Sequence, residues 1–154
     1  MVSDSPSLRS RLQDTFWERH ANPWSAGTRF LTMPALLYAV YTRDGRLLLA
    51  TLGFTVVNPV AFPPPARTDS WLSRIVLAER EWLGEGKGSM DLGYPNVLNL
   101  LNVPATLLAL WAAWKRRPAT TVVACLVAMG LKLWWVDAIA RRTEAGRTGQ
   151  WRAE

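Results

Sequence analysis

The sequence predicts an all-α fold: a four-span transmembrane helical bundle with an N-terminal amphipathic helix and an interfacial helix between spans two and three. Three observations predict it. Four apolar runs alternate with charged segments, so the mean hydropathy of +0.02 averages two unlike compositions and does not describe an evenly mixed globular chain. Nine tryptophans gather near the ends of those runs, where amphipathic rings favour a membrane interface. Asn58, Asn99, Asn102 and Lys132 lie inside the runs, and polar groups in hydrocarbon need partners, so they mark the working surface. A soluble helical bundle is the competing architecture.

The elements follow in chain order within a single membrane domain, 1–154. Residues 7–20 form the amphipathic helix, with Leu8, Leu12 and Phe16 on one stripe. The stretch from Met1 to His20 has neither the unbroken apolar core nor the small-residue cleavage site of a secretory signal, and is expected to be retained. His20-Ala21-Asn22-Pro23-Trp24-Ser25 reads as a helix end, a turn, and a new start that Ser25 can cap. Candidate spans cover 27–42 and 47–62; at 1.5 Å per residue each reaches about 24 Å against a core of roughly 30 Å. Pro34, Pro59 and Pro104 free the carbonyls of Phe30, Thr55 and Leu100 inside runs, and Asn58-Pro59 ends or kinks the second. Pro63-Pro64-Pro65 then separates it from the interfacial helix at 70–83, where Trp71, Leu72, Ile75, Val76, Trp82 and Leu83 share a broad arc. A flexible loop from Gly84 to Gly93 leads to spans at 97–114 and 118–140, and 143–154 is a polar tail.

Connections set the topology. Arg43 to Arg46 and Lys115 to Pro118 are short enough only for antiparallel hairpins, so both tips share one membrane face. Tyr38, Tyr41, Trp111 and Trp114 form an aromatic belt there, and Trp24, Tyr94, Trp134 and Trp135 form the opposite one. Twelve of the Lys and Arg residues fall on the termini and central connection and five on the tips, which places both termini in the cytoplasm of a multi-pass cell-membrane protein. The triplet Lys115 to Arg117 argues the other way.

Several functions are excluded by what is missing. The net charge of +6 is scattered over span flanks and forms no dense stripe, so nucleic acid is not the expected partner. One cysteine, Cys125, precludes an internal disulfide, and with one histidine precludes a self-contained zinc site. Without a Gly-rich phosphate loop, a nucleophile elbow or a spaced pair of intramembrane carboxylates, no catalytic residue and no cofactor are assigned.

The candidate polar pocket comprises His20, Asn22, Asn58, Glu79, Asn96, Asn99, Asn102, Lys132 and Asp137. Helical spacing puts Asn99, Asn102 and Thr106 on one ridge with Asn96 at its entrance; interhelical glue and a ligand-facing surface are the two readings. Lys132 lies nearer the terminal face than the bilayer centre, where it can snorkel or act as a buried cation. Glu79 falls at the middle of the 70–83 apolar arc, so if that arc packs on the bundle, Glu79 should meet Lys132 or His20. His20 ends its helix and has a proton-transfer role open to it, since its ordinary pKa is about 6.5. Asp137 is spaced to pair with Arg141, five residues being the wrong rotation for Lys132. These groups lie toward the terminal face and the tip half is apolar, which predicts a closed bundle with a one-sided pocket and no through-pore.

At these residues the chain resembles an uncharacterised family of small prokaryotic integral membrane proteins. The likeness rests on Phe16-Trp17 followed by Arg19-His20 and Asn22-Pro23, and on Asn58-Pro59 with Phe62-Pro63-Pro64-Pro65. It continues through Glu79-Arg80, Pro95-Asn96-Val97-Leu98-Asn99, and Lys132-Leu133-Trp134 with Asp137. The resemblance implies a membrane protein and supplies no activity. The expected function is therefore non-catalytic binding of a lipid headgroup, a small amphiphile or a partner protein at the terminal face. The alternatives are a membrane-embedded enzyme acting on a lipid, with Glu79 or His20 as base and Lys132 with the Asn ridge holding an anion, and a subunit of an oligomeric transporter. Membrane lipid, a second copy of the chain and another membrane protein are the partners considered.

Overall fold

Among the described residues, three helix starts are set by side chains that accept otherwise unpaired backbone N–H groups. Asn22 Oδ1 accepts from Trp24 N, Asp44 Oδ1 from Arg46 N and Leu47 N, and Ser70 Oγ from Ser73 N. In the computed structural model, which describes residues 8–150, they open α2 (Pro23–Arg29), α4 (Gly45–Ala61) and α5 (Trp71–Gly84). The remaining helices are α1 (Leu8–His20), α3 (Thr32–Thr42), α6 (Asn96–Trp114) and α7 (Pro118–Gln150), and the described residues contain no strand. Asp44→Ala is expected to lower stability by about 1 kcal/mol, read as a shift in thermal denaturation, while Asp44→Asn, an equally good cap, should retain most of it.

Among the described residues two helices, α6 and α7, are long and apolar enough to cross a membrane, where four were expected. The first expected span is broken. Phe30 N and Leu31 N turn back to Gly27 O and Thr28 O three residues behind them, closing α2. Pro34, with no N–H to give, sits in the first turn of α3, where that donor would be unpaired in any case. What remains is 11 residues, about 17 Å of helix, short of a roughly 30 Å core. α4 passes through Asn58-Pro59 for two more residues and stops at Ala61, its 17 residues reaching about 26 Å.

Both hairpins close as expected and their tips lie together, with the Arg43 guanidinium 5.2 Å from the centre of the Trp114 ring. Below the tips, Leu37, Ala109, Ala113, Ala124 and Cys125 form an apolar cluster in which small side chains let α6 and α7 approach closely. On the outer faces of α4, α6 and α7, Leu49, Val56, Leu107, Val123 and Leu126 are exposed.

At the opposite end α7 runs on as one helix of 33 residues, about 50 Å, so 143–150 of the expected polar tail is helical. Ser7 and residues 151–154 lie outside the described residues. The extension lies against α5, to which Glu144 pairs through Arg74 and Arg147 through Glu81. It thus offers a surface on which α5 buries Ile75, Val76, Ala78 and Trp82, beside Val136, Ile139 and Ala26. The 70–83 helix is therefore core here, the middle of its apolar arc facing protein while Trp71 and Leu83 at its two ends stay exposed. Trp135, expected in an aromatic belt, is only 1 % exposed and belongs to the same cluster. α1 leaves Leu8 and Leu12 exposed and docks through its last turns, with Asp14 paired to Arg80 and Arg19 donating to Val60 O at 3.0 Å.

Candidate functional site

The asparagines are spent on structure. Asn58, fully buried, accepts from Ser25 Oγ at 3.0 Å and donates to Thr28 Oγ1 at 2.8 Å, which fastens α4 to α2. Asn22, besides capping α2, donates to Pro63 O at 2.9 Å and so fixes the chain where α4 ends. Asn96 donates to Gly88 O at 2.8 Å and accepts from Trp135 Nε1 at 3.2 Å, and Asn99 donates to Ser89 O at 3.0 Å. With Trp82 Nε1 also donating to Gly88 O, the 85–94 connection is held onto α5, α6 and α7. Asn102 donates across to Ala128 O of α7 and accepts from Thr106. Among the described residues no buried side-chain nitrogen or oxygen lacks a partner.

The ionisable groups gather separately. His20 ends α1, 4 % exposed, stacked on Phe16 at 5.4 Å and edge-on to Trp17 at 5.9 Å. Arg29, the last residue of α2, brings Nη1 to hydrogen-bond distance of the imidazole, 3.2 Å from Nδ1 and closer to Nε2. A guanidinium only donates, so the ring nitrogen facing it must accept and the imidazole is neutral. Burial first, and then the Arg29 charge, push the His20 pKa down to about 4. Glu79, half-buried on α5, is near enough to Arg29 and Lys132 to act electrostatically on each, and those two cations act on one another. Lys132 Nζ also lies 3.9 Å from the centre of the Trp135 ring. With His20 neutral, the four groups carry one surplus positive charge, and among the described residues no carboxylate is within ion-pair distance of Arg29 or Lys132.

Asp137 stands apart from this group: it accepts from Arg141 Nε at 2.7 Å, the i, i+4 pair expected, and from Trp71 Nε1 at 3.2 Å. Arg29, by contrast, counts among the twelve basic residues that set the topology, although it lies within the 27–42 run and carries the same anomaly as Lys132. Thr28, one partner of Asn58, lacks any feature in the sequence that would single it out, and Ser25, expected to cap the helix after the turn, instead lies inside α2 with Asn22 as the cap, its hydroxyl donating to Asn58.

Arg29 and Lys132 open into a cavity of about 230 Å³ between α2, α3, α6 and α7. Asn102 and Thr106 add polar groups to one wall, and Phe30, Met33, Ala128 and Met129 make the rest apolar. Such a site, mostly apolar with a few convergent polar groups and a net positive charge, suits an anion attached to an apolar body.

Fold and site together define an all-helical protein with two helices long and apolar enough to cross a membrane and a basic cluster at one end of its bundle. The chain belongs to the Family of unknown function (DUF6653), whose sequence profile matches residues 8–144 and so includes every residue of the cluster. No curated protein and no solved structure matches the chain.

Proposed function

We propose that this is an integral membrane protein with cytoplasmic termini that binds an anionic headgroup between Arg29 and Lys132. In this reading α6 and α7 span the bilayer, and the α3–α4 hairpin is embedded beside them and stops short of full thickness. The exposed leucines and valines of α4, α6 and α7 support it, because a continuous apolar girdle of that kind is expected against lipid. The observation that carries the binding function is the pair of cations lining one cavity with no carboxylate in contact. Glu79, on α5, offsets part of their charge.

Mass spectrometry of lipids and metabolites that co-purify from native membrane tests this, comparing wild type with Lys132→Leu. The wild type should carry an anionic species, and the variant should lose at least about tenfold of it, the value of one charge-assisted contact. Equal content in both would sink the proposal.

A further inference from the structure

Met129 forms part of the wall of the basic cavity. This residue also lines a larger groove of about 560 Å³, bounded by α3 on one side and α7 on the other. Its walls include Pro34, Leu37, Val122 and Leu126, with Tyr38 and Tyr41 toward the tips. It stays open because α3 packs chiefly on α4 and α6 and touches α7 only lightly.

Length and polarity identify what fits. From Lys132 back to Pro118, the groove-lining residue nearest the tips, is fourteen residues of α7, about 21 Å of helix. A single leaflet is half of a roughly 30 Å hydrocarbon core, so the groove is long enough to take a full acyl layer from the basic end and runs on toward the tips. A soluble anion would use the basic end and leave the remainder without a role. We infer that the groove holds an acyl chain of the same molecule whose anionic head lies between Arg29 and Lys132, so that the ligand is an anionic lipid. This rests on the headgroup reading above and adds to it the path of the chain and the class of ligand.

The test uses the full chain in dodecyl maltoside, with native mass spectrometry counting bound dioleoylphosphatidylglycerol or, separately, glycerol 3-phosphate. The wild type should retain one phosphatidylglycerol per chain and hold glycerol 3-phosphate far more weakly. Leu126→Trp fills the groove from an exposed position; displacing even two methylenes should reduce lipid retention by about tenfold or more, with glycerol 3-phosphate binding unchanged. Val122→Trp, also exposed, repeats the test should the first variant fold poorly. Lipid retained by both tryptophan variants, or glycerol 3-phosphate held as tightly as the lipid, overturns the groove and leaves the headgroup site standing. Neither probe binding the wild type overturns the headgroup site as well. A lipid-free dimer that Leu126→Trp converts to monomer assigns the groove to a second copy of the chain and also overturns the inference.

Discussion

Asn96→Leu is expected to destabilise the protein by about 2 to 4 kcal/mol, seen as a lower denaturant midpoint in detergent, because it strands a buried donor and releases a loop. Trp135 is 1 % exposed and its indole N–H has Asn96 Oδ1 as its partner, so leucine, of similar size, leaves that N–H in an apolar cluster with nothing to bond. The Gly88 carbonyl suffers less, since Trp82 Nε1 still reaches it at 3.0 Å. A double-mutant cycle separates these contributions. Trp135→Phe removes the donor, so Asn96→Leu made in that background should cost about 1 to 2 kcal/mol less than in the wild type. Equal costs in both backgrounds would show that the indole bond is not where the energy lies. Asn99→Leu provides the contrast: its amide donates to Ser89 O on a connection whose neighbouring Gly88 is already held twice.

Acid should weaken the protein through His20 between about pH 6.5 and pH 4. The unfolded chain binds a proton at this ring near pH 6.5, whereas the folded one does so only near pH 4, because burial and then Arg29 oppose the charge. Between those values the unfolded state holds more protons, so stability rises with pH. The contribution is fully present above 6.5 and lost as pH falls to about 4, a difference on the order of 2 to 3 kcal/mol. His20→Phe keeps an aromatic ring against Phe16 and cannot titrate, so its denaturation midpoint should change much less than the wild type's between pH 7 and pH 5. An unchanged pH slope in His20→Phe would assign the acid sensitivity to other groups.

The candidate site was legible in part. Depth along the helices picked out Lys132, and the helical projection of 70–83 placed Glu79 where it had to meet something charged. It stands near enough to Lys132, and to Arg29, to act on both electrostatically, and within ion-pair distance of neither. Arg29 was hidden by its place at the edge of a run, where a basic residue ordinarily reports topology. The Asn residues sent the opposite signal, since an amide within an apolar run marks a need for partners without saying whether protein or ligand supplies them. Those partners turn out to be the Gly88 and Ser89 carbonyls, the Ala128 carbonyl, Ser25 and Thr28. All come from segments remote in sequence or from a loop read as flexible, so helical spacing could not have named them.

By itself the sequence determined what depends on neighbours along the chain. Two tight hairpins, the helix over 70–83, the Asp137–Arg141 pair and an all-helical fold all follow from capping, proline chemistry and apolar runs acting within a few residues, although the cap of α2 falls on Asn22 and not on the Ser25 the sequence suggests. Tertiary structure alone decided that the first apolar run breaks at Phe30, that α7 extends to Gln150 and receives α5, and that Arg29 joins His20, Glu79 and Lys132 at one end of the bundle. The reason is that an apolar stripe records only that a helix must be covered. Whether lipid or another helix covers it depends on which surfaces are long enough and close enough to pack, and that is settled by contacts between residues scores of positions apart.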